Sequence, residues 1–102
     1  MIIVTGEVRF GDGEIERLKE ALAANIAATR AEDGCEAYAY GVDIGDPNLL
    51  HVAERWSDQA AVDAHMTAPH MGPLMAELGA ARIESMRIDA YEGHFLKTLL
   101  GG

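Results

Sequence analysis

Cysteine is almost missing from this chain: of 102 residues only Cys35 carries a thiol. A single thiol cannot close an intramolecular disulfide, and without a Cys-x-x-Cys pair there is no cysteine framework for structural zinc or an iron–sulfur cluster. A reducing compartment is the expectation. Basic residues are also few, eight against seventeen acids, for a formal net charge of -9. Such a surface repels phosphate backbones and anionic lipid headgroups, so neither nucleic acid nor a membrane is an expected partner. The opening stretch, residues 1–10, lacks a basic leader region and already carries Thr5, Glu7 and Arg9. That argues against a signal peptide or a membrane span there and for a cytoplasmic protein. No Gly-rich phosphate loop follows a strand, and no Gly-x-Ser-x-Gly elbow occurs, so the nucleotide, flavin and nucleophile-elbow signatures are absent. Cys35 has no basic neighbour to lower its pKa and reads as a small core residue.

What is present is a chain of one-domain length, residues 1–102, with 49% hydrophobic residues and no block of like charges. Residues 2–10 alternate as a strand, Ile2, Val4, Val8 and Phe10 on one face, with Gly6 interrupting that face. After the turn Gly11-Asp12-Gly13 the period lengthens: Ile15, Leu18, Leu22, Ile26 and Thr29 form a helical stripe that Gly34 is placed to end. Residues 36–44 put Tyr38, Tyr40, Val42 and Ile44 on one face of a second strand, and Asp46-Pro47-Asn48 reads as the reversal. In the third strand, 49–56, Leu50, Val52, Glu54 and Trp56 share a face, which makes the carboxylate and the indole neighbours. Ser57 is positioned to cap a helix over 58–67 that breaks at Pro69. The helix resumes through Met71, Leu74, Met75 and Leu78 to Gly79. A last strand spans about 82–91, followed by the apolar tail 93–102.

The order strand, helix, strand, strand, helix, strand is that of the α+β ferredoxin-like βαββαβ unit, an antiparallel sheet with helices on one face. The other face carries enough apolar and aromatic residues to call for a cover. A homodimer joined sheet to sheet would supply one, and the tail could reach across to the partner or pack on its own subunit.

Proton-transfer chemistry near neutral pH has few candidates: Glu54 and the histidines His51, His65, His70 and His94. On an apolar strand face, Glu54 should have its pKa raised by desolvation; the alternative is an ion pair with Arg9 or Arg87. His65 lies on the sheet-facing side of its helix, as a catalyst or as a hydrogen-bonded core residue. His70, at the helix break, stands at a pocket mouth or caps the next helix. His51 and His94 read as surface or interface residues. His65 and His70 with Glu54 could imitate a two-histidine, one-carboxylate site, but a spacing of i to i+5 across the Pro69 break does not align the two imidazoles as metal ligands, and no metal is expected. Trp56, Tyr38, Met66 and Met75 suit the walls of an apolar pocket for a flat ligand, or simply the core.

The run Thr29-Arg30-Ala31-Glu32-Asp33-Gly34-Cys35, then Asp46-Pro47-Asn48, Glu54-Arg55-Trp56-Ser57-Asp58, Ala64-His65 and Ala68-Pro69-His70-Met71 resembles the antibiotic-biosynthesis monooxygenase domain over nearly the whole chain. The resemblance implies a dimeric α/β barrel with one pocket per subunit, and an oxygenase that needs no metal or flavin. Its substrates would be a small quinol or polyketide-type phenol and dioxygen. Glu54 or a histidine would take the substrate proton, Trp56 would form the apolar wall, and His65 and His70 would orient oxygen atoms. Haem-degrading relatives use an Asn, a Trp and a His where this chain has Gly6 or Glu7, His65 and Met75, so the haem triad does not carry over. His65, Pro69 and His70 also match an isomerase relative that acts on the phosphorylated signal autoinducer-2. Isomerisation of a small enolisable hydroxy-carbonyl compound is therefore the alternative activity, and a non-catalytic binding module the third reading.

Overall fold

The computed structural model describes all 102 residues. The period-two stretches become β1 (Ile2–Phe10), β2 (Cys35–Asp43), β3 (Asp46–Trp56) and β4 (Ile83–Glu92), and the helical stripes become α1 (Glu14–Arg30), α2 (Gln59–Met66) and α3 (Met71–Ala80). The strands form one antiparallel sheet in the order β2-β3-β1-β4, the ferredoxin-like arrangement. Cross-strand register sets the side chains of the helix-covered face in rows. One row is Tyr38, Glu54, Val4 and Ala90; the next is Tyr40, Val52, Gly6 and Ile88. In β1 the alternation is realised as expected, Ile2, Val4, Val8 and Phe10 all being buried.

α1 packs on β2 and β3 and alongside α3, while α2 lies on β3. Two apolar clusters result. Val8, Phe10, Leu18, Leu22, Leu50, Met71 and Leu74 form one; Ile2, Val4, Tyr38 and Trp56 form the other. The helices leave the β4 side of their own sheet face uncovered, so Met86 and Ile88 remain about half exposed.

Several local expectations are corrected. The buried stripe of α1 contains Asn25 rather than Ile26, because the Asn25 amide donates to the Tyr38 and Tyr40 hydroxyls at 3.2 and 2.9 Å and is thereby tolerated inside. α1 ends at Arg30 with Ala31 still in helical geometry; Gly34 instead supplies a left-handed turn (φ +81°) into β2. A Cβ on Gly34 would stand 2.6 Å from the Ala61 Cβ, so glycine also lets α2 approach. The β2–β3 reversal is Ile44-Gly45, with Asp43 opposite Asp46. It falls there because Asp43 accepts the Gly45 N–H and Asp46 accepts the Asn48 N–H, and it leaves Ile44 in solvent and Asp46-Pro47-Asn48 inside β3. Asp58, not Ser57, caps α2: its carboxylate accepts the Ala61 N–H at 2.9 Å, three residues on, while Ser57 stands one residue outside the helix with its N–H donated to the Gly34 carbonyl. α3 runs one residue past Gly79, closed by the Ala81 N–H on the Leu78 carbonyl. The break at Pro69 occurs where its missing N–H and steric bulk demand it.

Candidate functional site

Between the two cross-strand rows and the apolar sides of α2 and α3 lies a cavity of about 320 Å³. Its floor is Val4, Tyr38, Tyr40, Val52 and Glu54; Val62, His65, Met66, Met71, Leu74 and Met75 form the helical wall; Ile88 and Ala90 border the uncovered side. A space this apolar, with a few polar groups converging at one end, has the character of a small-molecule site. Glu54, His65, Tyr38, Met66 and Met75 are brought together there. Trp56 and His70 are not.

Trp56 is fully buried behind the floor. Its indole N–H donates to Glu54 Oε1 at 2.9 Å, and its ring lies against the His65 imidazole, centroids 4.7 Å apart. Burial pushes the Glu54 carboxyl up from its ordinary pKa. The indole bond and any positive charge on His65 work against that, and the Glu32 carboxylate adds to it. The ion pair considered for Glu54 does not form, since Arg9 pairs with Asp46 and Arg87 with Asp89. Glu54 therefore faces the cavity as a carboxyl group without a cationic partner.

His65 is buried, and its Nδ1 lies 2.7 Å from Glu32 Oε2. Its Nε2 has no hydrogen-bond partner in the protein and is not sealed from solvent, which leaves it open on the side of the cavity that His65 lines. Glu32 was invisible as a site residue because the turn after α1 has no periodicity to mark which side chains point inward. His70, one turn of chain beyond α2, faces away from the cavity. Its Nε2 approaches Thr29 Oγ1 at 3.2 Å and Glu32 Oε2 at 3.4 Å, and it makes no capping bond to α3. His51 bonds Asp43 at 2.7 Å on the open sheet face, and His94 is exposed.

The tyrosines form a further polar group. Asn25 donates one hydrogen to each hydroxyl, and the hydroxyls lie 2.5 Å apart, a contact that consumes one phenolic hydrogen. The second phenolic hydrogen has no protein acceptor and is free for a ligand oxygen at the cavity floor. Burial raises the pKa of both phenols, which keeps them donors at neutral pH. Cys35 is half buried with its thiol pKa raised by burial, the behaviour of an inert core cysteine. The arrangement can thus accept a proton from an acidic ligand O–H and hold the resulting anion in an apolar space. No helix is long and apolar enough to cross a membrane.

A family model described as "Antibiotic biosynthesis monooxygenase" matches residues 1–77. Rv0793 of Mycobacterium tuberculosis, provisionally described as a monooxygenase, is 37% identical over 62 residues, 61% of this chain. The chain spans only 60% of that relative's own length. YgiN of Escherichia coli, named a probable quinol monooxygenase, is 28% identical over 81 residues, covering 70% of this chain and 78% of YgiN. A crystal structure from Deinococcus radiodurans, also provisionally described as an antibiotic biosynthesis monooxygenase, superposes with a TM-score of 0.89 at 26% identity, covering 99% of this chain and 100% of that one.

Proposed function

The chain belongs to the antibiotic biosynthesis monooxygenase family, and from that premise we propose that it oxidises a quinol or polyketide-type phenol with dioxygen, without metal or flavin. The observation that carries this reading is the raised, unpaired carboxyl of Glu54 beside the free Nε2 of His65, at one end of an apolar cavity. Glu54 takes the phenolic proton. His65, oriented by Glu32 through Nδ1, presents Nε2 as the acceptor of a second proton, and the free phenolic hydrogen of the Tyr38–Tyr40 pair bonds the substrate oxygen. The deprotonated ring is electron-rich enough to reduce dioxygen directly: for a hydroquinone one oxygen atom enters the ring, the other leaves as water, and the product is a hydroxyquinone. Met66 and Met75 shape the mouth, Trp56 sets Glu54 from behind, and His70 acts only through Glu32. An isomerase using both histidines on one substrate is less well supported, because His70 lies outside the cavity, its ring centroid 6.2 Å from that of His65.

Oxygen uptake with a panel of reduced quinones and phenols tests the proposal. Turnover well above the spontaneous rate is expected, falling at least about tenfold in Glu54→Gln with ligand affinity kept, as loss of a general base does. No member of the panel turning over would sink it, and anaerobic proton exchange into a hydroxy-carbonyl compound would favour the isomerase.

The assembly is part of the same reading. The open sheet face carries Ile3, Leu49 and Tyr91 among Glu7, His51 and Arg87, and beyond it the tail holds Phe95, Leu96, Leu99 and Leu100 in solvent. Covering both is the role given to a second copy, making a homodimer in which each 1–102 chain folds as one domain and lends its tail to the other. Sedimentation equilibrium should return twice the chain mass, and removal of residues 94–102 should weaken the dimer.

A further inference from the structure

We propose that Glu32, His65 and His70 form a binding site for a divalent transition metal such as Zn²⁺, entered from the outer side of His65 and separate from the cavity. Three different pieces of chain converge there: the turn after α1, the last turn of α2 and the residue before α3. Glu32 Oε2 lies 2.7 Å from His65 Nδ1 and 3.4 Å from His70 Nε2, and all three donor atoms fall within 4.8 Å of one another. Bond lengths of 2.0–2.2 Å to zinc separate tetrahedral donors by about 3.3 Å, a spacing that the two shorter distances already bracket. To take a metal, the Glu32–His65 pair must open from 2.7 Å and the two imidazole nitrogens, no more than 4.8 Å apart, must close toward that spacing. Two imidazoles and one carboxylate, with a fourth position left to water, is a donor set suited to zinc, nickel or cobalt.

The electrostatics favour a cation. Glu32 makes no contact with Lys or Arg; its only charged or chargeable partners are the two histidines. Glu54 stands on the far side of His65 as a second carboxyl without a cation, and the chain as a whole carries a charge of -9. A dication would meet a half-buried carboxylate that currently has only hydrogen bonds to neutralise it. Thr29 Oγ1, next to His70 Nε2, is placed to orient that ring or a bound water.

The site stands on this geometry alone. Its effect on catalysis rests on the oxygenase reading. Metal on Nδ1 leaves the proton of the neutral ring on Nε2, so the cavity is offered a donor where it had an acceptor, and turnover should slow.

Calorimetric titration of the metal-free full chain with Zn²⁺, repeated with Co²⁺ while recording its visible absorption, tests the site without any substrate. One ion per chain with a tetrahedral cobalt spectrum is expected. His70→Gln and Glu32→Gln should each weaken binding by about tenfold or more, the usual cost of losing a ligand or its support. Both side chains are only partly buried, so the variants should fold, and circular dichroism checks that they do. His51→Ala, which removes the imidazole beside Asp43 and Glu7 on the open face, should leave affinity unchanged. Absence of saturable binding overturns the proposal. So does binding lost in His51→Ala and kept in His70→Gln, which marks an adventitious surface ion.

Discussion

Replacing Trp56 by Phe probes the packing and the chemistry of the site together. Trp56 is completely buried, and its ring contacts Tyr38 and His65 while its N–H holds Glu54. The change deletes about three buried heavy atoms, worth about 2 kcal/mol at roughly 0.8 kcal/mol each. Loss of the indole–carboxylate bond adds about 1 kcal/mol, because Glu54 faces the cavity and water can partly replace the donor. A total near 3 kcal/mol should lower the midpoint of thermal unfolding by roughly 10–20 °C in a chain of this size. The second readout is catalytic. The indole bond opposes the effect of burial on Glu54, so removing it moves the carboxyl pKa further up. A base works only when ionised, and the acidic limb of the pH–rate profile should therefore shift to higher pH. Thermal unfolding followed by circular dichroism and oxygen uptake across pH measure the two effects. A midpoint lowered by less than about 3 °C would mean that the indole is not packed as described. An unmoved acidic limb would remove Glu54 from the role of base.

Gly6→Ala should destabilise by about 1–3 kcal/mol in denaturant titration, since its Cβ would stand 2.5 Å from the Arg87 carbonyl oxygen and 2.7 Å from the Ile88 Cα, and β4 must move. The same shift displaces Ile88 at the cavity edge, so substrate KM should rise along with it. Glu14 is held by Arg17 and by the Arg82 N–H, which bring its carboxyl from the ordinary 4.5 down to about 2. Its folded pKa is depressed, so its contribution is present in full above about 4.5 and is lost as pH falls through about 2. Glu14→Gln should flatten the acid side of the stability curve in that window. Asp58→Ala removes the α2 cap and should cost about 1 kcal/mol, read by the same denaturant titration; no measurable change would mean the cap bond is not made in solution.

Much of the fold was legible in the chain because strand alternation and helical spacing are local patterns. Val4 and Val8 in β1, and Leu50, Val52 and Trp56 in β3, are spaced by even numbers of residues, and Leu18 and Leu22 fall one helical turn apart, so their burial follows from backbone geometry. The adjacency of Glu54 and Trp56 was legible for the same reason, being a relation within one strand. Turns and caps were less legible. Asp43, Asp46, Ser57 and Asp58 are all capable acceptors, and which one is used depends on N–H groups brought near by the fold.

The sequence by itself determined the order of elements, the faces of the strands and the presence of a polar pair on an apolar one. Only the tertiary structure decided which partners those groups meet. It brought Glu32 across 33 residues of chain to His65, turned His70 out of the cavity, and put Trp56 behind Glu54 rather than in the wall. It also gave Arg9 and Arg87 other carboxylates, leaving Glu54 without a cation. The physical reason is one of range. Periodicity reports which way a side chain points from its own backbone, whereas a pKa, a hydrogen bond or a donor set depends on groups that long-range packing brings within a few ångströms.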